Sequence, residues 1–273
     1  MRWRIFLCPL AILCVLAAFP IAAQKEFRVC ADPENFPASD RKQEGFENKI
    51  ANIMAHALGA PAPTYIWWGQ RRGFVRNTMN ATLKEGRCDV MIGVPAGYDL
   101  VVTTKPYFRS TYVAVSRKGE GAPVASMDDP RLKKFKIGVH LLGDDYANPP
   151  PAHALAQRGI VENVVGFDTF YSERNPPSAI VDAVATRKID VALVWGPAAG
   201  YFVKHQRTPL EMVPVQAGPG DPPFAYDMSM GVKKGNDALL MDVQRALDEN
   251  AAAIRKVLTD YGVPLVPRRA GER

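Results

Sequence analysis

Arg87 to Tyr98 reads RCDVMIGVPAGY, and Lys188 to Tyr201 reads KIDVALVWGPAAGY. In each copy an Asp opens an apolar run, followed by Pro-Ala and then Gly-Tyr, and a helix-like segment stands just before it: FVRNTMNATLKEG (Phe74 to Gly86) and PPSAIVDAVATRK (Pro176 to Lys188). A short, nearly unbroken apolar run between turn residues is a strand buried on both faces. A helix ahead of such a strand makes the unit part of a parallel sheet. The plainer reading of the Asp is that it tidies the start of a strand. The likeness, however, runs past the strand into the following residues, where packing demands less. Two lobes of the same build are therefore expected, each presenting its Pro-Gly-Tyr loop at a shared face.

Outward from the first copy, FRVCAD (Phe27 to Asp32) reads as a strand entering the loop PENFPASDRKQEG. Phe46, Ile50, Ile53, Met54, Ala57 and Leu58 then recur at helical spacing, and Gly59 with Pro61 stops the pattern. TYIWW (Thr64 to Trp68) is a second strand, Gly73 to Gly86 a second helix and DVMIGV (Asp89 to Val94) a third strand. Ligands of such sheets sit beyond the carboxyl ends of the strands.

PYFRSTYVAVSRKG (Pro106 to Gly119) and LEMVPVQAGPGDPP (Leu210 to Pro223) are β-rich and bracket the second copy, so they are expected to cross between the lobes, one outward and one back. FAYDMSMGVKKGN then reads as a strand and turn, and Asp237 to Val263 as helical material closed by Gly262 and Pro264. NPPPAH (Asn148 to His153) and GPGDPPF (Gly218 to Phe224) read as rigid loops. The expected division is a discontinuous first lobe, 24–113 with 216–273, and a second lobe, 114–215, joined as a hinged clamshell.

The chain opens MRWRIFLCPLAILCVLAAFPIAAQ, with Arg2 and Arg4, an apolar run and a small-residue end. The run is shorter than the ~20 residues of a membrane-spanning helix, and its layout is that of a secretory signal peptide ending at residue 23. Leu7 and Leu13 precede Cys8 and Cys14, which argues against a lipoprotein and for an exported, periplasmic chain. Two of the four cysteines then remain, Cys30 and Cys88. In an oxidising compartment a lone pair favours a disulfide; two buried thiols on neighbouring strands are the alternative, because spacing does not show that the Cα atoms come within ~7 Å. The net charge of +6 falls to +4 once Arg2 and Arg4 leave (6 minus 2). Without a Lys/Arg block, this mild excess argues only weakly for an acidic partner or solute and hardly at all for a nucleic-acid partner.

Enzyme signatures are poor. His56, His140, His153 and His205 have no metal-ligand spacing and read as surface or polar-network residues. Nucleophile-elbow, phosphate-loop and dinucleotide glycine patterns do not occur. Asn80 matches a glycosylation sequon but lies inside an expected helix of a bacterial-looking protein.

GFENKIANIMAHALGA, LKEGRCDVMIGV, KPYFRSTYVAVSRKG, ATRKIDVALVWGPAAGY and the closing MGVKKGNDALLMDVQRAL with LTDYGV resemble type II periplasmic solute-binding proteins across the whole mature chain. RVCADPENFPASDR, WWGQRRGFVRNTMNA, GRCDVMIGVPAGYDLVVTTKPYFRSTYV and DVALVWGPAAGYF are similar to a narrower branch, the MoxJ/XoxJ type encoded beside pyrroloquinoline quinone (PQQ)-dependent methanol dehydrogenases. The resemblance implies an α/β, bilobal fold of two doubly wound lobes with a hinge and a central cleft, in a monomeric periplasmic protein. It further implies a role tied to the dehydrogenase or its cytochrome c, with no catalytic residues, metal or cofactor.

Trp68 ends the second strand and Arg71 to Asn77 begin the next helix, which places Trp68, Gln70, Arg71 and Phe74 at the cleft edge of the first lobe. The plainer reading puts Trp67 in the core and Arg72 and Arg76 on a solvated helix face. Trp195, Pro197 and Tyr201 hold the matching edge of the second lobe, and Asp32, Phe36, Tyr98, Asp99 and Tyr146 lie in loops after strands. An aromatic, mixed-charge cleft fits a bulky ligand or peptide segment better than a small polar solute. In amino-acid-binding members a Thr-x-x-Arg stretch clamps the ligand carboxylate, and here that place reads PAGYDLVV with Asp99 where the arginine belongs. Free amino acids are expected to be repelled, unless Arg109 or Arg71 substitutes.

Overall fold

The computed structural model describes residues 25–69, 79–80, 82–141 and 148–267. Three strands of the first half, β1 (Phe27–Ala31), β4 (Pro63–Trp67) and β5 (Val90–Pro95), run parallel in the order β4-β1-β5. Three strands of the second half, β8 (Ile137–Leu141), β9 (Val164–Asp168) and β10 (Val191–Trp195), run parallel in the order β9-β8-β10. Each half therefore has its first strand in the centre and its third on the inner side. Each is then flanked by an antiparallel strand: β12 (Ala225–Val232) beside β5, and β7 (Phe108–Arg117) beside β10.

The repeated Asp explains why the two halves share an order. Asp89 accepts the backbone N–H of Arg28 through Oδ2 at 2.9 Å and donates its own N–H to the Arg28 carbonyl at 2.8 Å. Asp190 does the same to Lys136, with both contacts at 2.8 Å. In each half this reciprocal pair satisfies the first groups of the central strand and sets the register of the third. Arg28 closes on Asp89 with Nη2 at 2.6 Å as well.

β7 and β12 pair antiparallel, from Ala225↔Thr111 to Met228↔Phe108, and so make the ribbon joining the halves. The return crossing is thus β12. β11 (Leu210–Pro214), the first part of the segment expected to return (Leu210 to Pro223), pairs with residues 113–117 of β7 and stays in the second half. Two further expectations are corrected. The Pro-Gly-Tyr of the second copy is no loop: α4 (Gly196–His205) starts directly after β10. Pro197 stands in its first turn, where a missing N–H costs nothing, whereas Gly97 of the first copy turns the chain at φ 72°. Likewise Pro150 and Pro151 open α2 (Pro150–Gln157) in a stretch expected to be a loop, for the same reason.

α1 (Phe46–Ala57) buries Phe46, Ile50, Ala51, Met54 and Ala55 against the first half of the sheet, as its spacing requires. α5 (Asp237–Glu249) and α6 (Ala251–Asp260) add Val243, Ala246, Leu247, Ile254 and Leu258 to that core. The second half packs separately, around Leu132, Ile137, Leu155 and Leu193 on one side and Ile180, Val184, Ile189 and α3 (Ala179–Ala185) on the other. Phe224 belongs to this second core. Cys30 and Cys88 are disulfide-bonded with Cα atoms 5.6 Å apart. The bridge sits in a pocket of Met79, Leu83, Met91, Val94 and Val101. Among the described residues no helix is long and apolar enough to cross a membrane.

Candidate functional site

The loop after β1 folds into a small hairpin, β2 (Glu34–Asn35) with β3 (Ser39–Asp40), and docks on the start of α1. The carbonyls of Pro37 and Ala38 accept the N–H groups of Phe46 and Glu47, each at 2.8 Å, so orphan donors of the helix are met by the loop. Asn48 adds to the seam, its Oδ1 accepting from Asp40 and Gly45. This arrangement holds Asn35, Pro37 and Glu47 against the second half.

Between them and the start of α4 lies a cavity of about 150 Å³. Its walls are Asn35, Pro37, Ala38, Phe46 and Glu47, then Met91 to Gly93 of β5, Phe108 and Met228 of the joining ribbon, and Trp195, Pro197 and Ala198. Glu47 is the one charged residue among the described residues of the lining. Its Oε1 is seated so close to β5 that a Cβ on Gly93 would stand 2.2 Å away. Burial, and secondarily the charge of the buried Asp32, push its carboxyl up to about 8.

The expected site residues fall into three groups. Trp195 and Pro197 line the cavity, and Phe36 meets Tyr201 edge-on at 4.8 Å, closing aromatic contact across the two halves. Asp32 is buried, and its Oδ1 accepts from the Glu34 N–H at 2.9 Å. Others point elsewhere. Trp68 carries the Arg87 guanidinium 5.4 Å over its ring, Tyr98 packs beside the disulfide cluster, and Asp99 is exposed on a turn. Trp67 is half-buried and stacked on Tyr65 rather than sunk in the core. Gln70, Arg71, Phe74 and Tyr146 lie outside the described residues, as does most of the expected second helix. Of the alternative arginines, Arg109 is paired with Asp227 at 3.2 Å. Trp195 is also more than a cleft edge: its ring packs against Tyr112 at 5.4 Å and Tyr226 at 5.8 Å, both on the joining ribbon.

No model of a known protein family matches the sequence. The chain is similar to protein MoxJ of Methylorubrum extorquens, 33% identical over an aligned length of 254, which covers 88% of this chain and 81% of that one. The chain belongs to the MoxJ family. Among solved structures, MxaJ from Methlophaga aminisulfidivorans superposes with a TM-score of 0.76 at 27% identity, covering 88% of this chain and all of that one. The periplasmic binding protein XoxJ from Methylobacterium extorquens superposes with a TM-score of 0.71 at 36% identity, over 89% of this chain and all of that one. The fold of this MoxJ-family chain is that of the type II periplasmic binding proteins.

Glu47 is the functional candidate that sequence reasoning missed in this MoxJ-family protein. An acid in the first turn of a helix is an ordinary dipole partner, and no spacing marks one that the fold then places in a cavity. His140, expected as a surface or polar-network residue, is buried on β8, and burial pushes it down to about 4. Among the described residues no group of three His, Cys, Asp or Glu is placed to hold a metal.

The two shifts predict how stability varies with pH. Glu47, raised from 4.5 to about 8, is bound to its proton in the folded chain over a range where the unfolded chain has lost it, so its contribution declines as pH rises through that window. His140, lowered from 6.5 to about 4, works the other way: stability declines as pH falls from 6.5 toward 4. Between 4.5 and 6.5 the two slopes oppose each other, and above 6.5 only the Glu47 slope remains. Unfolding free energy from urea denaturation should therefore fall between pH 6.5 and 8, by at most ~2 kcal/mol at ~1.4 kcal/mol per unit. Glu47→Gln should flatten that fall. A wild-type stability that is level or rising over this interval would count against the placement of Glu47 in the cavity.

Proposed function

We propose that this MoxJ-family protein is a periplasmic, non-enzymatic accessory of the PQQ-dependent methanol dehydrogenase system. Residues 24–113 with 216–273, and 114–215, act as two jaws, and the cleft between them holds part of the dehydrogenase or of its cytochrome c during activation or assembly. Family membership supports the link to that system. The cavity carries the reading: about 150 Å³ is below the roughly 300–1,000 Å³ of ordinary small-molecule pockets, so it suits a single side chain offered by a partner better than a whole solute. Among the described residues its lining includes no Arg or Lys to hold the carboxylate of an amino acid. The second reading, a transporter's receptor for a small non-amino-acid solute, draws on the same cavity.

The experiment is surface-immobilised binding of the dehydrogenase and the cytochrome, tested separately, to wild type, Trp195→Ala and Pro197→Ala. Trp, Tyr and Arg dominate interface energetics once desolvated, and loss of such an anchor costs on the order of 2 kcal/mol. Trp195→Ala should accordingly bind about thirtyfold more weakly. Thermal melting of each variant separates lost contact from lost packing on Tyr112 and Tyr226. If a partner binds and both variants match wild type, the cleft is not the interface. If neither partner binds while a small ligand copurifies in stoichiometric amount, the receptor reading replaces this one.

A further inference from the structure

We infer that the cavity between the two halves receives a primary ammonium group on a short alkyl stem, with Glu47 as its counter-ion. This rests on the cleft reading above and names the chemistry that the cleft selects. Three features of the walls converge on it. Among the described residues the charge is one-sided: Glu47 lines the cavity, buried Asp32 is near enough to act on it, and no described lining residue is cationic. Gly93 is what allows the carboxylate to lie against β5, because a Cβ there would stand 2.2 Å from its Oε1. The remaining surface is aromatic and apolar, with Phe46, Phe108 and Trp195, and aromatic faces attract an alkylammonium.

Size narrows the choice. A cavity near 150 Å³ accommodates a molecule the size of benzene, which matches a butylammonium or the outer part of a lysine side chain and excludes a folded segment. An anion would meet repulsion from Glu47. A neutral alkyl group would cover the carboxyl without satisfying it, which costs free energy. Among the described residues, the charged or titratable groups facing Glu47 are Asp32 just after β1, Tyr65 on β4 and Tyr107 just before β7. Both tyrosines are raised above their ordinary value and stay protonated near neutrality. Glu47, pushed up to about 8, releases its proton as the ammonium group enters, so affinity rises with pH through the neutral range.

Such a group comes either from a free alkylamine or from a lysine of the partner, and one calorimetric titration distinguishes them. The exported chain, wild type and Glu47→Gln, is titrated with n-butylammonium, n-butanol, n-butyrate and doubly blocked lysine (acetylated at the α-nitrogen, amidated at the carboxyl). The expected result is that n-butylammonium binds more tightly than n-butanol, n-butyrate gives no binding heat, and Glu47→Gln weakens n-butylammonium about thirtyfold or more. Comparable binding of blocked lysine assigns the site to a partner's lysine; binding of the free amine alone assigns it to a solute. Glu47→Asp, which withdraws the carboxylate by one methylene, should lose less than Glu47→Gln. The inference is overturned if n-butylammonium gives no heat at tens of millimolar, if n-butanol binds equally well, or if a folded Glu47→Gln binds as wild type does. Partner binding that persists in that case leaves the accessory reading standing, whereas amine binding without any protein partner defeats the accessory reading alone.

Discussion

Gly200→Ala should destabilise the protein by about 3 kcal/mol, although the same change at an open helical position stabilises by roughly 1 kcal/mol. Gly200 lies in α4, and a Cβ there would stand 2.0 Å from the Gly262 carbonyl oxygen and 2.5 Å from its carbon. Those are backbone atoms, so no rotamer relieves the clash and one segment must move away. Gly262 faces it at φ 69°, and its own Cβ would lie 2.7 Å from the Gly200 oxygen. The contact is reinforced on each side. Tyr201 and Tyr261 rings are 5.6 Å apart, Lys204 Nζ donates to the Asp260 carbonyl at 2.9 Å, and Ser110 Oγ donates to the Pro264 carbonyl at 2.7 Å. Separating α4 from residues 260–264 therefore loosens the seam between the helices of the first half and the second half. Urea denaturation of Gly200→Ala beside Lys204→Ala is the measurement: the exposed lysine should cost at most ~0.5 kcal/mol. A Gly200→Ala variant as stable as wild type would show that these two segments are not pressed together in solution.

Replacing both Cys30 and Cys88 by alanine should cost about 4 kcal/mol. The bridge joins residues 58 apart in sequence, and closing a loop of that length restricts the unfolded chain by about 4 kcal/mol in the chain-entropy view. Native-state effects are small by comparison, because both positions are almost fully buried among Met91, Val94 and Val101 and alanine leaves the surroundings apolar. Denaturation of oxidised wild type and the double variant gives the difference directly. Thiol titration of the denatured, unreduced protein should find no free sulfhydryl in the exported chain, and two per molecule would rule the bridge out.

The parallel halves were legible because their signals are local. Asp89 and Asp190 each precede an apolar strand, and the spacing from Phe46 to Leu58 is helical whatever lies around it. What failed depended on partners. The proline-rich openings of α2 and α4 read as loops because proline breaks helices in their interior, yet it is welcome in the first turn, and only the surrounding packing tells which applies. β11 and β12 are both apolar extended runs, and nothing in either says which neighbour it will pair with.

The cleft shows the same division. Trp195 and Pro197 follow from the rule that ligand loops lie beyond strand ends, and both line the cavity. Tyr98 and Asp99 satisfy the same rule and line no part of it, since a strand end fixes position along a sheet without fixing where a side chain points. By itself the sequence determined the α/β class, the two repeated units, the candidate cysteine pair and the family resemblance, all carried by residue order and short-range periodicity. Tertiary structure alone decided the approach of Gly200 to Gly262, the bridging role of β12 and the placement of Glu47 in a cavity beside Asp32. These depend on contacts between residues far apart in the chain, and the energy of burying a group is set by neighbours that its own stretch of sequence does not contain.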